Sequence, residues 1–313
     1  MTVETWLLDS DPSIRWQAQR DTLGLPEPEW ANERARIETH GWGAQILSHQ
    51  DEDGQWAGGA YFPAGYRGGE DGQPWTATTH TLSVLRGLGL DPDSEAATRT
   101  VRLIGENCRW DQGSPYWEGE DEPCVNGATV ANGSYFGVDT SAIVDRLIGE
   151  SLADGGWNCE AVNGSLRSSF DTTINVLEGL LAFEQATGGT AESKETRRSA
   201  EAYLLERELF KRLSTGEPAD EDYLLLRNPV RWQYDILRAL DYFRSAGLVE
   251  NTGPDPRLAK AIELVRSKRQ EDGTWLLDRN PPGRVWFDID DGEGQPSRWI
   301  TLRALRVLAW SDA

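Results

Sequence analysis

The stretch Gln50-Asp51-Glu52-Asp53-Gly54-Gln55-Trp56 decides the fold, because its last four residues belong to a repeat. The pattern Asp-Gly-x-Trp returns at Asp154-Gly155-Gly156-Trp157 and at Asp272-Gly273-Thr274-Trp275, and a degraded copy runs from Asp111 to Trp117. Each full copy follows an amphipathic segment rich in Leu and Ile, where Gly is a usual helix stop signal. We therefore predict that each Trp folds back over the end of the helix before it.

Leucine and isoleucine also recur at helical spacing between the copies of this repeat. Spacings of three and four residues give each helix one apolar face. Arg231-Trp232 and Arg298-Trp299 stand just ahead of two identical Leu-Arg-Ala-Leu strings, which marks two equivalent helices. No stretch shows the sustained alternation of a β-strand.

Two helix types that alternate about every 50 residues predict an all-α fold, an α/α toroid in which roughly five to six inner/outer helix pairs close into a ring. Outer helices are predicted near 30–49, 95–108, 140–151, 194–210 and 256–269. Inner helices are predicted near 75–89, 124–136, 169–186, 230–246 and 297–310. We expect residues 1–313 to form a single domain, with a capping helix within 1–25.

Composition excludes several classes of function. The chain has 313 residues, 14 of them Trp, and a net charge of −21. Such an acidic surface repels nucleic acid and anionic lipid headgroups, because both bind through basic patches. No apolar run reaches the ~18 residues that span a membrane, and the N-terminus lacks the pattern of a signal peptide. We predict a cytoplasmic protein with no transmembrane segment and no nucleic-acid partner, whose Trp residues fill a large core or line a pocket.

Gln-x-x-Asp-Gly-x-Trp at 50–56, with the shorter copies that follow, resembles the glutamine–tryptophan motif of squalene–hopene and oxidosqualene cyclases. The chain thus resembles the terpenoid cyclase and protein prenyltransferase toroids along nearly its whole length. This resemblance implies a central cavity, lined by inner-helix residues, that holds an isoprenoid chain. Those cyclases use two helical domains with the pocket between them, whereas this chain has one, and fold alone does not fix function. Another α/α toroid, such as a glycosidase or a polysaccharide lyase, is the alternative.

Asp288-Ile289-Asp290-Asp291 is a literal match to the acid motif of class II terpenoid cyclases. That chemistry protonates an alkene, so it needs a carboxylic acid that is kept neutral, and neighbouring carboxylates can raise one pKa. In the family a Thr follows the motif and the inner helix opens directly. Here Gly292-Glu293-Gly294-Gln295-Pro296 intervenes, and a solvated acidic loop is the alternative.

Asp171 is the second candidate acid. It precedes the apolar pattern of 174–180, at the position where the cyclase acid would stand at the start of an inner helix. Ser and Asp are also the usual residues at helix N-caps, so capping is the alternative role. We expect Asp171 to line the pocket as acid, ligand or cap, and the 288–291 cluster to lie mainly at the rim.

Thr79-His80-Thr81, followed by Leu85-Arg86-Gly87-Leu88, resembles the segment that carries the zinc histidine of protein prenyltransferase β subunits. The resemblance implies a zinc site of His80, Cys124 and Asp171, with a fourth position open to substrate or water. The Asp-x-Cys pair of that family is absent here. A core histidine is the alternative role for His80.

Further residues at the predicted starts of inner helices are candidates for substrate binding: Trp75, Thr78, Arg231, Trp232, Tyr234, Arg298 and Trp299. The two arginines offer planar guanidinium groups that suit a carboxylate or a diphosphate. Pairing with nearby acids, such as those at 288–291, is the alternative. Cys108 and Cys159 are predicted to be small hydrophobic residues, buried or partly buried.

The sequence supports three hypotheses about function. The first is an enzyme that starts cyclisation or isomerisation of an isoprenoid, or of another hydrophobic substrate, with acid from Asp171 or the 288–291 cluster and without a cofactor. The second is a zinc-assisted transferase or hydrolase that uses His80, Cys124 and Asp171. The third is a non-catalytic toroid that binds a hydrophobic ligand or a partner.

Overall fold

The computed structural model describes residues 2–69 and 71–313. In these residues, helices alternate with turns and loops, and there are isolated bridges but no regular β-strand. The thirteen α-helices of the described residues are α1 (Val3–Leu8), α2 (Pro12–Asp21), α3 (Glu27–Ala35), α4 (Gly41–Ser48), α5 (Thr78–Leu88), α6 (Glu95–Asn107), α7 (Pro123–Tyr135), α8 (Ser141–Gly149), α9 (Phe170–Thr187), α10 (Ala191–Glu206), α11 (Ile236–Glu250), α12 (Ala259–Ser267) and α13 (Arg298–Ser311). None of these helices is both long and apolar enough to cross a membrane. The predicted all-α class is confirmed.

The predicted inner helices correspond to α5, α7, α9, α11 and α13. Three of them begin at a side-chain cap: Ser169, Asp235 and Ser297 each accept a hydrogen bond from a backbone N–H in the first turn. Such caps satisfy N–H groups that have no partner inside the helix. α11 starts later than the predicted residue 230, because the cap at Asp235 fixes its beginning.

Two predicted helices are broken. The single capping helix expected within 1–25 is divided into α1 and α2, because Asp11 caps α2 and Pro12 takes its first position. The outer helix expected at 30–49 is divided into α3 and α4, where His40 is extended and Gly41 has a φ of 67°. The other predicted outer helices correspond to α6, α8, α10 and α12.

The described chain divides into two compact units, each with its own helix packing. In the first unit (residues 2–37, 204–281 and 287–313), α13 packs against α2, α11 and α12. In the second unit (residues 38–69, 71–203 and 282–286), α7 packs against α5, α8 and α9, and α4 packs against α5. Outer helices therefore pair with inner ones within each unit. The organisation of the whole chain as one domain stays a prediction.

The three Asp-Gly-x-Trp copies share one hydrogen-bond geometry. Each indole is fully buried, and its Nε1–H donates to a backbone carbonyl oxygen near the end of the preceding outer helix. These pairs are Trp56 with Ile46 at 2.9 Å, Trp157 with Leu147 at 2.7 Å, and Trp275 with Val265 at 2.7 Å. The backbone N–H of each Trp donates to a Thr hydroxyl in the next inner helix: Thr78, Thr173 and Thr301. Each Trp thus joins an outer helix to the inner helix that follows it.

A glycine is required at the turn before each of these tryptophans. Gly54, Gly155 and Gly273 have φ angles of 88°, 101° and 87°, in the left-handed region that side chains other than glycine rarely adopt. Space is also lacking, since a Cβ on Gly54 would lie 2.3 Å from the Cβ of Leu103. The Gly of the repeat is therefore as necessary as its Trp.

α7 and α9 approach each other backbone to backbone. A Cβ on Gly127 would lie 2.4 Å from the carbonyl oxygen of Asn175, and a Cβ on Gly179 would lie 2.6 Å from the carbonyl oxygen of Gly127. Both obstacles are main-chain atoms, which no side-chain rotation can move. Glycine at these positions sets the distance between the two inner helices.

We expect Trp157→Ala to lower the free energy of unfolding by about 3–5 kcal/mol, because it removes a fully buried indole and its hydrogen bond. Urea denaturation followed by circular dichroism measures the change. Trp232→Ala is the control, since that side chain is 39% exposed and should cost about 1 kcal/mol or less. Equal losses in the two variants would contradict the structural role of the repeat.

We expect Gly179→Ala to lower the free energy of unfolding by about 1–3 kcal/mol, because the added methyl group meets the backbone of α7. Gly87→Ala is the matched control in helix α5, where an added Cβ meets no heavy atom within 4 Å. That control should instead stabilise the protein by about 0.5–1 kcal/mol, through helix propensity. Similar stabilities for the two variants would rule out the close approach of α7 and α9.

Candidate functional site

Asp290 lies in the loop before α13 and is half-buried. Its Oδ2 accepts two hydrogen bonds, from Asn228 Nδ2 at 2.7 Å and from Ser297 Oγ at 2.9 Å. Both donors are neutral, and both contact the same carboxyl oxygen. The remaining oxygen, Oδ1, is therefore the one on which a proton can be carried.

Ser297 connects this carboxyl group to the start of α13. Its Oγ accepts a hydrogen bond from the backbone N–H of Ile300 while donating to Asp290. The inserted loop folds back on itself, since Leu277 N–H donates to the carbonyl oxygen of Gln295 and Gly294 N–H donates to that of Leu277. The insertion that separates Asp290 from the helix in sequence thus does not separate them in space.

Burial raises the pKa of Asp290 from 3.8 to about 6. The hydrogen bonds from Ser297 and Asn228 and the positive charge of Arg303 act in the opposite direction, while Asp291 adds to the increase. Desolvation outweighs these three effects, because removing a charged carboxylate from water costs more free energy than removing the neutral acid. Asp290 is therefore protonated in a substantial fraction of molecules slightly below neutral pH.

A second buried acid in the same unit, Asp235, has a different hydrogen-bond arrangement. Its Oδ1 accepts from the backbone N–H of Arg238 at 2.7 Å, and its Oδ2 accepts from that of Arg227 at 3.2 Å. Burial raises the pKa of Asp235 as well, against the positive charge of Arg303 and these hydrogen bonds. Asp235 serves as the cap of α11.

The other acids of the 288–291 cluster are exposed. Asp291 lies 3.8 Å from the guanidinium of Arg298, so the expected pairing of this arginine with the cluster is observed. Arg298 also lies over the ring of Trp6, 4.6 Å from its centroid, and donates to the carbonyl oxygens of Trp6 and Asp9. These contacts fix the arginine to the N-terminal segment.

Asp171 occupies the second position of α9 and is half-buried. The cap of α9 is Ser169, whose Oγ accepts from the backbone N–H of Thr172 at 3.0 Å. Capping therefore falls to Ser169 and not to Asp171. A role for Asp171 as acid or ligand stays a prediction.

Apart from Arg298, the predicted substrate-binding residues fall into two groups. Thr78, Trp75 and Tyr234 are buried and hold the fold together: Thr78 Oγ1 accepts from Trp56 N–H, Trp75 Nε1 donates to the Pro282 carbonyl oxygen, and Tyr234 Oη donates to that of Leu209. The other group lies just before α11 and at the start of α13: Arg231, Trp232 and Trp299. Burial lowers the pKa of Arg231 to about 9. Contact of these side chains with a substrate stays a prediction.

A cluster of three potential metal ligands lies in the second unit. The ligand atoms of Glu122, Cys124 and Cys159 all lie within 4.8 Å of one another, and no other such group of His, Cys, Asp or Glu occurs in residues 2–69 and 71–313. The two Sγ atoms are 3.0 Å apart, and Cys124 Sγ lies 3.7 Å from Glu122 Oε2. His80 and Asp171 are not part of this group, so the set His80, Cys124 and Asp171 does not meet around one point in the described chain.

His80 has a different surrounding. Its Nε2 lies 3.0 Å from Gln73 Nε2, and its ring packs 4.5 Å from that of Tyr61 and 4.9 Å from that of Trp75. The side chain is only 6% exposed. These contacts hold the imidazole as part of an aromatic cluster, which is the alternative considered for it.

The two thiols of the cluster affect each other's titration. The close contact between Cys124 and Cys159 lowers the pKa of Cys159, and the same contact, followed by burial, raises the pKa of Cys124. Burial, followed by the negative charge on Cys124, raises the pKa of Tyr61. Cys108 is buried and Cys159 is partly buried, as predicted, and Cys159 in addition contacts Cys124 and Thr172.

No protein-family model matches the sequence, and no curated protein matches it either. Several solved structures are similar to it. The type II terpene cyclase MstE from Scytonema, in its apo form, is 16% identical, with a TM-score of 0.46 over 98% of this chain and 86% of that chain. A variant of MstE in complex with its substrate geranylgeranyl dihydroxybenzoate is 14% identical, with a TM-score of 0.47 over 99% and 86%. A protein from Actinoplanes is 14% identical, with a TM-score of 0.45 over 97% and 91%.

We expect Asp290→Asn to gain stability relative to the wild type as the pH rises. The pKa of Asp290 is raised in the folded state, so the wild type loses stability between the unfolded value of 3.8 and the folded value of about 6. Asn mimics the neutral acid and does not lose this stability. Relative to the wild type, the variant should therefore gain on the order of 2 kcal/mol in the free energy of unfolding between about pH 4 and about pH 8. Urea denaturation at both pH values measures it. Asp291→Asn, at an exposed carboxylate, is the control, and an equal pH dependence in both variants would contradict the burial effect.

Proposed function

We propose that this chain is a terpenoid-cyclase-like enzyme that protonates an alkene of an isoprenoid, or of another hydrophobic substrate, with Asp290 as the acid. The observation that carries the proposal is the state of Asp290: a half-buried carboxyl group with a pKa of about 6, oriented by Asn228 and Ser297. Its position within Asp288-Ile289-Asp290-Asp291 agrees with the acid motif that the sequence resembles.

The reaction requires a neutral acid and an oriented proton. Oδ2 is held by two donors, so the proton on Oδ1 can be directed to an alkene carbon. Transfer of that proton forms a C–H bond and a carbocation, which closes a ring or shifts a double bond. Loss of a proton from a neighbouring carbon then gives an isomer of the substrate, and reprotonation of Asp290 from water completes the cycle.

Asp171 is less suited to this step. It stands in the first turn of α9, where the positive end of the helix dipole stabilises negative charge. A proton donor needs the opposite, an environment that favours the neutral acid. Electrostatics therefore supports Asp290 over Asp171 as the donor.

Turnover in D2O tests the proposal directly. A panel of linear isoprenoids of increasing length is incubated with the protein, and the products are analysed by mass spectrometry and NMR. Each product molecule should be an isomer of the substrate that carries one deuterium at the carbon that was protonated. A toroid that only binds hydrophobic ligands would return every substrate unchanged and undeuterated.

We expect Asp290→Asn to lower kcat by at least about 100-fold, because general acid catalysis of this kind contributes roughly 100- to 10,000-fold. Asp291→Asn should keep most of the activity, since its carboxylate is exposed and pairs with Arg298. In the wild type, kcat should fall as the pH rises through about 6, because only the protonated form of Asp290 donates. Full activity of Asp290→Asn together with inactivity of Asp171→Asn would assign the reaction to the other acid.

A further inference from the structure

The cluster of Glu122, Cys124 and Cys159 has no part in the proposed acid chemistry. Its residues come from two places: Glu122 and Cys124 at the start of α7, and Cys159 from a short 3-10 segment that follows the second Asp-Gly-x-Trp copy. The two sulfur atoms lie 3.0 Å apart, closer than two thiols pack without something shared between them. A proton, a covalent bond or a cation can supply that shared element.

The third member of the cluster distinguishes these possibilities. A disulfide would account for the short distance between Cys124 and Cys159. It would leave the carboxylate of Glu122 beside a neutral sulfur that offers neither a hydrogen-bond donor nor a positive charge. A single shared proton leaves a thiolate and a carboxylate side by side, which repel each other. Two thiol protons would let Cys159 donate to Cys124 and Cys124 donate to Glu122, but a separation of 3.0 Å between the sulfurs is too short for a hydrogen bond between two thiols. A divalent cation is attracted to all three groups at once.

The distances also fit a cation. Zinc binds sulfur at about 2.3 Å and carboxylate oxygen at about 2.0–2.2 Å, so two ligands of one ion lie at most about 4.6 Å apart and about 3.5–3.8 Å apart in a tetrahedron. The Cys124 to Glu122 distance is 3.7 Å, and all ligand atoms lie within 4.8 Å of one another. The two sulfurs, 3.0 Å apart, would need to separate by about 0.8 Å to bind one tetrahedral ion.

We propose that Glu122, Cys124 and Cys159 together bind one thiophilic divalent cation, for which zinc is the best match, with a fourth position left to water or a substrate atom. Thiolates favour zinc over magnesium or calcium, which select oxygen ligands. The arrangement of three protein ligands is that of zinc sites that bind a further molecule.

The surroundings of the cluster suit this role. Thr172 Oγ1 donates to Cys159 Sγ at 3.5 Å and accepts from the backbone N–H of Cys159 at 3.3 Å. Thr172 would therefore orient the sulfur without binding the metal itself. Cys124 and Cys159 are half-buried and Glu122 is exposed, so an ion can enter from solvent.

Metal analysis of the full chain, purified under reducing conditions without a His tag, tests the site. We expect close to one equivalent of zinc in the wild type, and almost none in Cys124→Ser and Cys159→Ser. Cys108→Ala is the matched control, because it removes a thiol that is buried elsewhere and should keep the zinc. Circular dichroism confirms that each variant folds.

Cobalt gives a second, spectroscopic readout. Co²⁺ added to the metal-stripped protein should produce the near-ultraviolet charge-transfer band of thiolate ligands, and this band should be nearly absent from each Cys→Ser variant. Glu122→Gln should keep the band and bind zinc at least tenfold more weakly.

Three results would overturn the proposal: reduced wild-type protein that takes up neither metal, zinc content that is unaffected by Cys159→Ser, or a Cys124–Cys159 disulfide that forms in the presence of zinc. None of them bears on Asp290, which belongs to a different set of residues.

Discussion

The hydrogen bond from a buried indole to the end of an outer helix is the contact on which the rest of the structure depends. The same Trp accepts, through its carbonyl oxygen, the N–H of a cap residue: Ser169 donates to Trp157 at 2.8 Å, and Ser297 donates to Trp275 at 2.9 Å. The cap then fixes where the next inner helix begins. A side chain that closes a turn thus also positions the first turn of the helix that follows, and the candidate sites lie there.

Both sites are built from this connection. In the first unit the chain of contacts runs from Trp275 through the Ser297 backbone to the Ser297 hydroxyl, and from there to Oδ2 of Asp290. In the second unit Cys159 follows Trp157 by two residues, and Thr172 in the first turn of α9 holds its sulfur. The close approach of α7 and α9 brings Cys124, in the first turn of α7, to the same end. The contacts that stabilise the fold therefore also position the residues of the two candidate sites, so loss of an indole would disturb both the fold and the site next to it.

Periodicity and stop signals in the sequence predicted most helix boundaries, because amphipathic spacing and glycine turns act locally. The breaks at Pro12 and Gly41 were missed, although Pro and Gly are visible, since a long apolar pattern outweighed them. The site was only partly predictable. Asp290 stands in a recognisable motif, but one of its two hydrogen-bond donors is Asn228, which is distant in sequence and carries no motif. The sequence predicts a hydrophobic Cys159, because nothing local shows that it faces Cys124. That contact arises only because the 3-10 segment before α9 lies beside the start of α7.

Asp235 and Asp290 show why burial alone does not identify a catalytic acid. Burial raises the pKa of both. Asp235 is the cap of α11, and Asp290 contacts Ser297, the cap of α13. Asp235 has a backbone N–H on each oxygen, and such donors stabilise the anion and leave no oxygen on which a proton can be presented. Asp290 has both donors on Oδ2, and they are neutral side chains, so the neutral acid keeps its orientation while Oδ1 carries the proton. What separates Asp290, the acid proposed above, from the helix cap Asp235 is the distribution of hydrogen-bond donors between the two carboxyl oxygens, which neither the sequence nor the degree of burial reveals.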